Sequence, residues 1–246
     1  MDVALPWLAP GDPFPTPQSA WGLDTPAPGL LAAGGSLDTE TLCRAYAQGT
    51  FPWFSDGQPI LWWAPDPRMV LQVNQFKLHP SLRKTLKKFQ NSPACSITVD
   101  KAFSRVIRTC ATQSRKGQNG TWIVPSMVEA YEQLHALGVA HSVETWVDDK
   151  LIGGLYFVAL GKAVFGESMF AHVTDASKIA LAALVCIAKA QGVPWIDCQQ
   201  NTRHLASLGA AEIPRKAFVA DIQALSSAPD PQWFFAPIYW SQFLSR

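Results

Sequence analysis

Two apolar segments in the second half of the chain each carry an acid where a strand core would be expected. Gly166-Glu167-Ser168-Met169-Phe170 follows Ala163-Val164-Phe165, and Asp197-Cys198-Gln199 follows Val193-Pro194-Trp195-Ile196. Strand alternation puts Glu167 and Met169 on one face, and Asp197 and Gln199 on one face likewise. If the two strands share a sheet, two carboxylates, a carboxamide and a thioether converge. A buried acid without a partner is costly, so these acids are expected either to work or to be paired. The plainer reading is a pair of strand-end acids in water. Cys43, Cys95, Cys110, Cys186 and Cys198 are scattered without a CxxC pair, and His79, His135, His141, His172 and His204 lack ligand spacing. No metal site or disulfide framework is therefore expected. Without a Walker sequence or a GxGxxG, no nucleotide cofactor is expected either.

The elements that must position these residues are legible from periodicity. His141 to Val147, Leu151 to Leu160 and Ala163 to Phe170 alternate with period two, and Asp148-Asp149 and Leu160-Gly161 supply tight turns. They predict an antiparallel meander. A strongly apolar helix follows from Ala176 to Gln191, stopped by Gly192. A buried strand runs from Pro194 to Cys198, and a short helix from Arg203 to Leu208. Ahead of the meander, helices are expected over Ser81–Gln90, after a cap at Asp100, and from Ser126 to Gly138. Residues 1–30, rich in Pro and Gly, read as irregular. Asp38 is placed to N-cap a helix over 39–48, Asp56-Gly57 turns between short strands, and Trp62-Trp63-Ala64-Pro65-Asp66-Pro67-Arg68 is an extended connection. This predicts an α+β protein: a small N-terminal domain over 1–65, then a domain over 66–246 with a mixed, mostly antiparallel sheet.

The order of helices, meander, long helix and strand resembles the N-acetyltransferase-like (GNAT-like) fold. That fold's Gly-rich pyrophosphate loop is missing, because Thr174-Asp175-Ala176-Ser177-Lys178 enters the long helix instead. Acetyl-coenzyme A is thus not the expected donor, and another acyl carrier is needed.

Charge points to that carrier. The chain has a net charge of +1, yet residues 77–116 hold ten Lys or Arg against the single acid Asp100. Such a segment on a nearly neutral protein is a polyanion footprint. Within it, Arg83, Lys84, Lys87 and Lys88 project from one face of the 81–90 helix while Leu82, Leu86 and Phe89 face inward. Hydrophobic residues make up 48% of the chain, enough for a sizeable core, and no apolar run approaches the roughly 20 residues of a membrane helix. The start Met1-Asp2-Val3 carries no cationic, apolar leader. A cytoplasmic monomer without a membrane partner is expected.

The blocks FPWF (51–54), ILWWAPDPR (60–68), GTWI (120–123), AHSVETW (140–146), GGLY (153–156), GESMF (166–170), ASK (176–178), IDCQ (196–199) and SLGAAEIPR (207–215) resemble, in length and order, the leucyl/phenylalanyl-tRNA–protein transferase family. The resemblance spans about residues 30 to 218. It implies transfer of Leu, Phe or, less readily, Met from aminoacyl-tRNA to an N-terminal Arg or Lys of acceptor proteins, as part of N-degron marking. It further implies that Trp53 and Trp122 hold the terminal adenosine, with Tyr46 and Tyr131 lining the site nearby. Leu155, Met169, Leu181, Leu184 and Ile196 would line the aminoacyl pocket. Glu167 and Asp197 would face the cationic acceptor, Gln199 the reacting amine, and Arg83, Lys84, Lys87 and Lys88 the acceptor stem. The family often has Asn where this chain has Thr202, with Asn201 one position earlier. On this reading Asp197 fixes Gln199, whose carbonyl aligns the amine. A tRNA- or degron-binding module without catalysis would not need Asp197 and Gln199, and an N-acetyltransferase would bind coenzyme A.

Overall fold

The computed structural model describes residues 4–113 and 123–245. From the N-terminus, β1 (Trp7–Leu8), β2 (Leu30–Gly34), β3 (Phe51–Pro52) and β4 (Leu61–Trp63) form a four-stranded sheet in the order β1-β2-β4-β3. Helix α1 (Thr39–Ala47) bridges β2 and β3 and is capped as expected, with Asp38 Oδ1 accepting the Thr41 N–H at 2.8 Å. The turn region around Asp56-Gly57 joins β3 and β4, which pair antiparallel.

The second sheet begins with β5 (Arg68–Gln72), a strand hidden from sequence reading by the prolines before it. Then come α2 (Pro80–Gln90), β6 (Cys95–Val99), α3 (Phe103–Thr112) and α4 (Pro125–Ala136). The expected meander follows as β7 (Ala140–Val147), β8 (Lys150–Leu160) and β9 (Ala163–Ala171). Helix α5 (Ala176–Ala190) crosses over to β10 (Trp195–Gln199), which runs parallel to β9. The chain ends with α6 (Arg203–Ser207), β11 (Ala211–Ile213), α7 (Arg215–Ser226) and α8 (Ile238–Leu244). The seven strands lie in the order β11-β5-β10-β9-β8-β7-β6, antiparallel except for β9 and β10. This is the mixed α+β arrangement expected, with meander, crossover helix and parallel strand in the predicted order. Three strands of this sheet went unread in the sequence (β5, β6 and β11), as did β1 and β2 of the N-terminal sheet and helices α7 and α8.

Alternation along β8 divides the core. Leu155, Phe157 and Ala159 join α2 and α5 on one face of the sheet, and Tyr156 and Val158 join α3 and α4 on the other. The second face is continuous with the N-terminal sheet, since Leu42, Tyr46 and Trp62 share a cluster with Val106, Tyr131 and Phe165. Edge strand β6 therefore separates two basic helices that the sequence presents as one segment. Helix α2 lies on one face and α3 on the other.

One expected cap is corrected. Asp100 does not cap α3; Ala102 occupies that position. Asp100 adopts a left-handed backbone, φ 59°, and its carboxylate turns to the Ser142 N–H at 2.8 Å and the His141 ring at 2.7 Å. Glu144 serves the helix start instead, accepting the Ala102 N–H at 3.3 Å.

Candidate active site at the parting of two strands

Strands β9 and β10 pair only at Val164 with Ile196 and at Phe165 with Asp197. Just beyond, a Cβ on Gly166 would stand 3.2 Å from the Asp197 carbonyl oxygen, so a larger residue there would press the two strands apart by a few tenths of an ångström. Each strand then carries an irregularity. In β9, Gly166 and Ser168 face Phe157 and Tyr156, which leaves Glu167 as the extra residue of a bulge. In β10, Asp197 and Gln199 face Val70 and Met69, which leaves Cys198 as the extra residue, and Gln199 adopts φ 62°. Bulges re-aim side chains beside sites, and these two do so. They also correct the expectation of two regular strand faces. Convergence occurs, but through the bulges rather than by plain alternation.

A cavity of about 680 Å³ opens where the strands part. Its apolar wall gathers Leu155, Met169, Leu181, Leu184 and Ile196, the five residues assigned to one pocket from the sequence. Phe51 and Trp53 line it from the N-terminal sheet. Trp53 is half-buried and braced by Trp63, whose ring packs edge-on at 5.2 Å and whose Nε1–H donates to the Trp53 carbonyl at 2.7 Å. Trp122 lies outside the described residues.

At the mouth, Glu167 gathers three donors. The Tyr46 hydroxyl donates to its Oε1 at 2.7 Å, the Gln199 Nε2–H to the same oxygen at 3.0 Å, and the Tyr131 hydroxyl reaches Oε2 at 3.4 Å. The two tyrosine hydroxyls also bond each other. Burial raises the Glu167 carboxyl to about 7; the Tyr46 bond opposes the rise, and the nearby Asp197 charge adds to it. Burial, followed by the Glu167 charge, pushes both tyrosine hydroxyls well above their usual range, so they stay protonated donors. Tyr46 and Tyr131 are fully buried and do not line the cavity. Their rings, expected to line the site nearby, offer no open face to a base. Their hydroxyls meet the site through Glu167.

Asp197 behaves differently from its sequence reading. It is fully buried and receives a forked pair of bonds from Arg68, Nε to Oδ1 at 2.8 Å and Nη2 to Oδ2 at 2.6 Å. It holds Gln199 through the backbone N–H, at 2.8 Å, whereas Glu167 holds the side chain. The carboxylate expected to meet a cationic acceptor is thus already paired inside the protein.

Away from the cavity, Lys84, Lys87 and Lys88 are exposed and border a shallow hollow of about 350 Å³ with Pro80, Arg83 and Asn91. Arg83 is committed elsewhere, its Nη1–H donating to the Leu244 carbonyl at 2.8 Å. Helix α2 connects to the cavity rim through short links. His79 bonds the Ser207 carbonyl at the end of α6, and Thr85 contacts Asp175 before α5. Lys101, just before α3, and Arg105 on it sit over the Trp146 ring, and Arg108 is paired with Glu132. Arg115 and Lys116 lie outside the described residues. Thr202, in the position often held by Asn, caps α6 by accepting the Leu205 N–H, and Asn201 bonds Glu212.

Sequence reading passed over Phe51, Arg68 and His204. The ring of His204 lines the cavity, and burial followed by the neighbouring Lys178 holds its pKa below the usual 6.5. A signal for Arg68 did exist. A cation that opens the apolar run Met69-Val70-Leu71 must find a buried anion, and Asp197 has the same difficulty in Trp195-Ile196-Asp197.

Among the described residues no helix is long and apolar enough to cross a membrane. A family model for leucyl/phenylalanyl-tRNA protein transferase matches residues 70–223, and one for its N-terminal domain matches residues 35–66. The leucyl/phenylalanyl-tRNA–protein transferase of Polaromonas sp. is 62% identical, over 98% of this chain and 94% of that one. The same-named protein of Albidiferax ferrireducens is 59% identical, over 98% and 95%. Among solved structures, L-PGS from Bacillus licheniformis covers 87% of this chain and 71% of its own, at 10% identity and a TM-score of 0.41. A GCN5-related N-acetyltransferase from Kribbella flavida covers 68% and 58%, at 9% identity and a TM-score of 0.35. Likenesses that distant carry no argument about function. Sheet, cleft and relatives together define a transferase. The chain belongs to the leucyl/phenylalanyl-tRNA–protein transferase family.

Proposed function

We propose that this chain transfers Leu, Phe and, less readily, Met from aminoacyl-tRNA to the N-terminal Arg or Lys of acceptor proteins in the cytoplasm, marking them for degradation. The observation that carries this reading is an apolar cavity with a carboxamide at its mouth, held by a carboxyl of raised pKa. The aliphatic wall suits an uncharged donor side chain, and Met169 adapts to branched or flat groups. Trp53 and Trp122 receive the terminal adenine, where stacking contributes about 1–3 kcal/mol. Lys84, Lys87 and Lys88 meet acceptor-stem phosphates, a contact that weakens with salt.

The reaction is aminolysis of an ester. The acceptor's α-amino nitrogen attacks the aminoacyl carbonyl carbon, the new C–N bond replaces the C–O bond to ribose, and the amine's proton ends on the ribose oxygen. An α-amino group has a pKa of about 7.7–8.0, so releasing its proton near pH 7 costs only about 1 kcal/mol. Orientation then outweighs base strength. With its Nε2–H held by Glu167, the Gln199 amide has its Oε1 left to accept from the amine. Glu167, ionised above about pH 7, adds attraction for the cationic acceptor. Holding two substrates in register supplies several kcal/mol.

The test is transfer of labelled Leu from charged tRNA to a peptide beginning with Arg, against the same peptide with a blocked amine. Label is expected on the free peptide alone. Tight binding of charged tRNA without any transfer would overturn the reading in favour of a non-catalytic binder.

A further inference from the structure

We infer that Arg68 is a positioning residue for transfer: it fixes Asp197 so that the left-handed turn at Gln199 presents its amide to Glu167 and the incoming amine. This deepens the functional reading above and rests on it.

All three guanidinium nitrogens of Arg68 donate a hydrogen bond. Besides its fork on Asp197, Nη1–H donates to the Gly49 carbonyl at 3.0 Å. The guanidinium lies between two aromatic faces, 4.8 Å from the Phe51 centroid and 4.5 Å from that of Phe218. The residue is 1% exposed, and Asp197 is 0% exposed. Gly49 follows α1, which carries Tyr46, and Phe51 lines the cavity. One side chain therefore ties the N-terminal wall of the cavity to β10 on the other side.

The consequence reaches Gln199 through a single oxygen. Asp197 Oδ1 accepts both the Arg68 Nε–H and the Gln199 backbone N–H, each at 2.8 Å. A non-glycine residue at φ 62° is strained and persists only when its surroundings over-determine it. Here the over-determination is the chain Arg68, Asp197 and the Gln199 backbone N–H, continued by the Gln199 amide on Glu167. A lysine in place of Arg68 keeps the charge but loses the planar fork and the third bond.

The experiment is Arg68→Lys, with full-length protein, charged tRNA and an Arg-starting peptide, well below the melting temperature of each protein. The turnover number is expected to fall by about 100-fold, as for a displacement of about 1 Å at a reacting group. KM for charged tRNA and for peptide should stay within about two-fold, since Arg68 touches neither the aliphatic wall nor the basic helix. A purely structural Arg68 would lower the melting temperature while leaving kcat intact, and that result overturns the proposal. A second variant guards against misfolding. Arg68→Met with Asp197→Leu replaces the buried pair by apolar groups, a change that proteins often tolerate. It should fold and bind charged tRNA yet lose transfer; retained transfer would likewise overturn the proposal. Absence of transfer by the parent protein in the same assay would sink the functional reading, and this inference with it. Parent-like kcat in Arg68→Lys would sink the inference alone.

Discussion

Two glutamates lie in neighbouring parts of one sheet and meet opposite fates. Glu144, on β7, is 0% exposed and enclosed by bonds from Ser142, Thr98 at 2.5 Å and the Ala102 N–H at 3.3 Å. Glu167, at the bulge of β9, is bonded by Tyr46, Tyr131 and Gln199 but keeps an edge on the cavity. Burial is the main cause that raises both carboxyls above their ordinary value. Burial and a shifted pKa therefore do not distinguish a working acid from a structural one. The difference is access. Glu144 spends its oxygens on the start of α3, whereas Glu167 passes one of its bonds to an amide that faces open space.

The largest expected effect separates the two by activity. Glu167→Gln removes the charge that holds Gln199 and should lower kcat by about 100-fold or more, as for a misplaced reacting group. The same change at Glu144 should leave kcat within about two-fold in protein that remains folded. Comparable losses at the two sites would erase the distinction. Next in size is stability. Glu144→Ala leaves buried hydroxyls and an N–H without their acceptor and should lower unfolding free energy by about 3 kcal/mol, measured by urea titration at pH 7. An unchanged midpoint would show that those donors find other partners. Smaller still is the effect on the far side of the β9 bulge. Met169→Ala should reduce kcat/KM for the donor by about 1–2 kcal/mol while acceptor KM stays constant; a change confined to acceptor KM would place Met169 on the wrong side of the site.

The smallest effect is a slope. Folding raises the Glu167 carboxyl from its ordinary 4.5 to about 7, so the native state keeps a proton that the unfolded chain releases. That group's contribution to stability is full below pH 4.5, falls as pH rises towards 7, and is level beyond. Glu167→Gln should flatten the stability curve in that window by about 1 kcal/mol per pH unit, and the contribution of Glu144 should remain. An unaltered slope in the variant would contradict the raised pKa.

The meander could be read because period two and the turns at Asp148-Asp149 and Leu160-Gly161 are local signals, and all three strands form. Helix α5 could be read because its residues are apolar nearly throughout. Elements recognised only by their partners were invisible. β5 is defined by lying between β10 and β11, β6 by its pairing with β7, and α8 by packing against α5 and α2. The site follows the same rule. The five aliphatic wall residues were assigned together through family motifs, and the cavity gathers all five. Glu167 and Gln199 were expected to converge, and they do. The means of convergence were not legible. Two bulges, a positive φ and a pair of tyrosine hydroxyls 121 and 36 residues away in sequence depend on tertiary pairing. Asp197 was expected to face the acceptor, and its pairing was not legible because its partner, Arg68, is 129 residues away.

The central claim is that Gln199 orients the amine and does not deprotonate it. Gln199→Glu places a true base in nearly the same volume, next to the Glu167 oxygen that now accepts the amide N–H at 3.0 Å. Two carboxylates in that contact repel, and the bond that aims residue 199 is lost. The decisive measurement is kcat of Gln199→Glu for transfer to an Arg-starting peptide across pH 6 to 9, under saturating charged tRNA. Orientation predicts a loss of activity at every pH in that range. Turnover at or above that of the parent, with a new ionisation in the profile, would contradict it and make residue 199 a base.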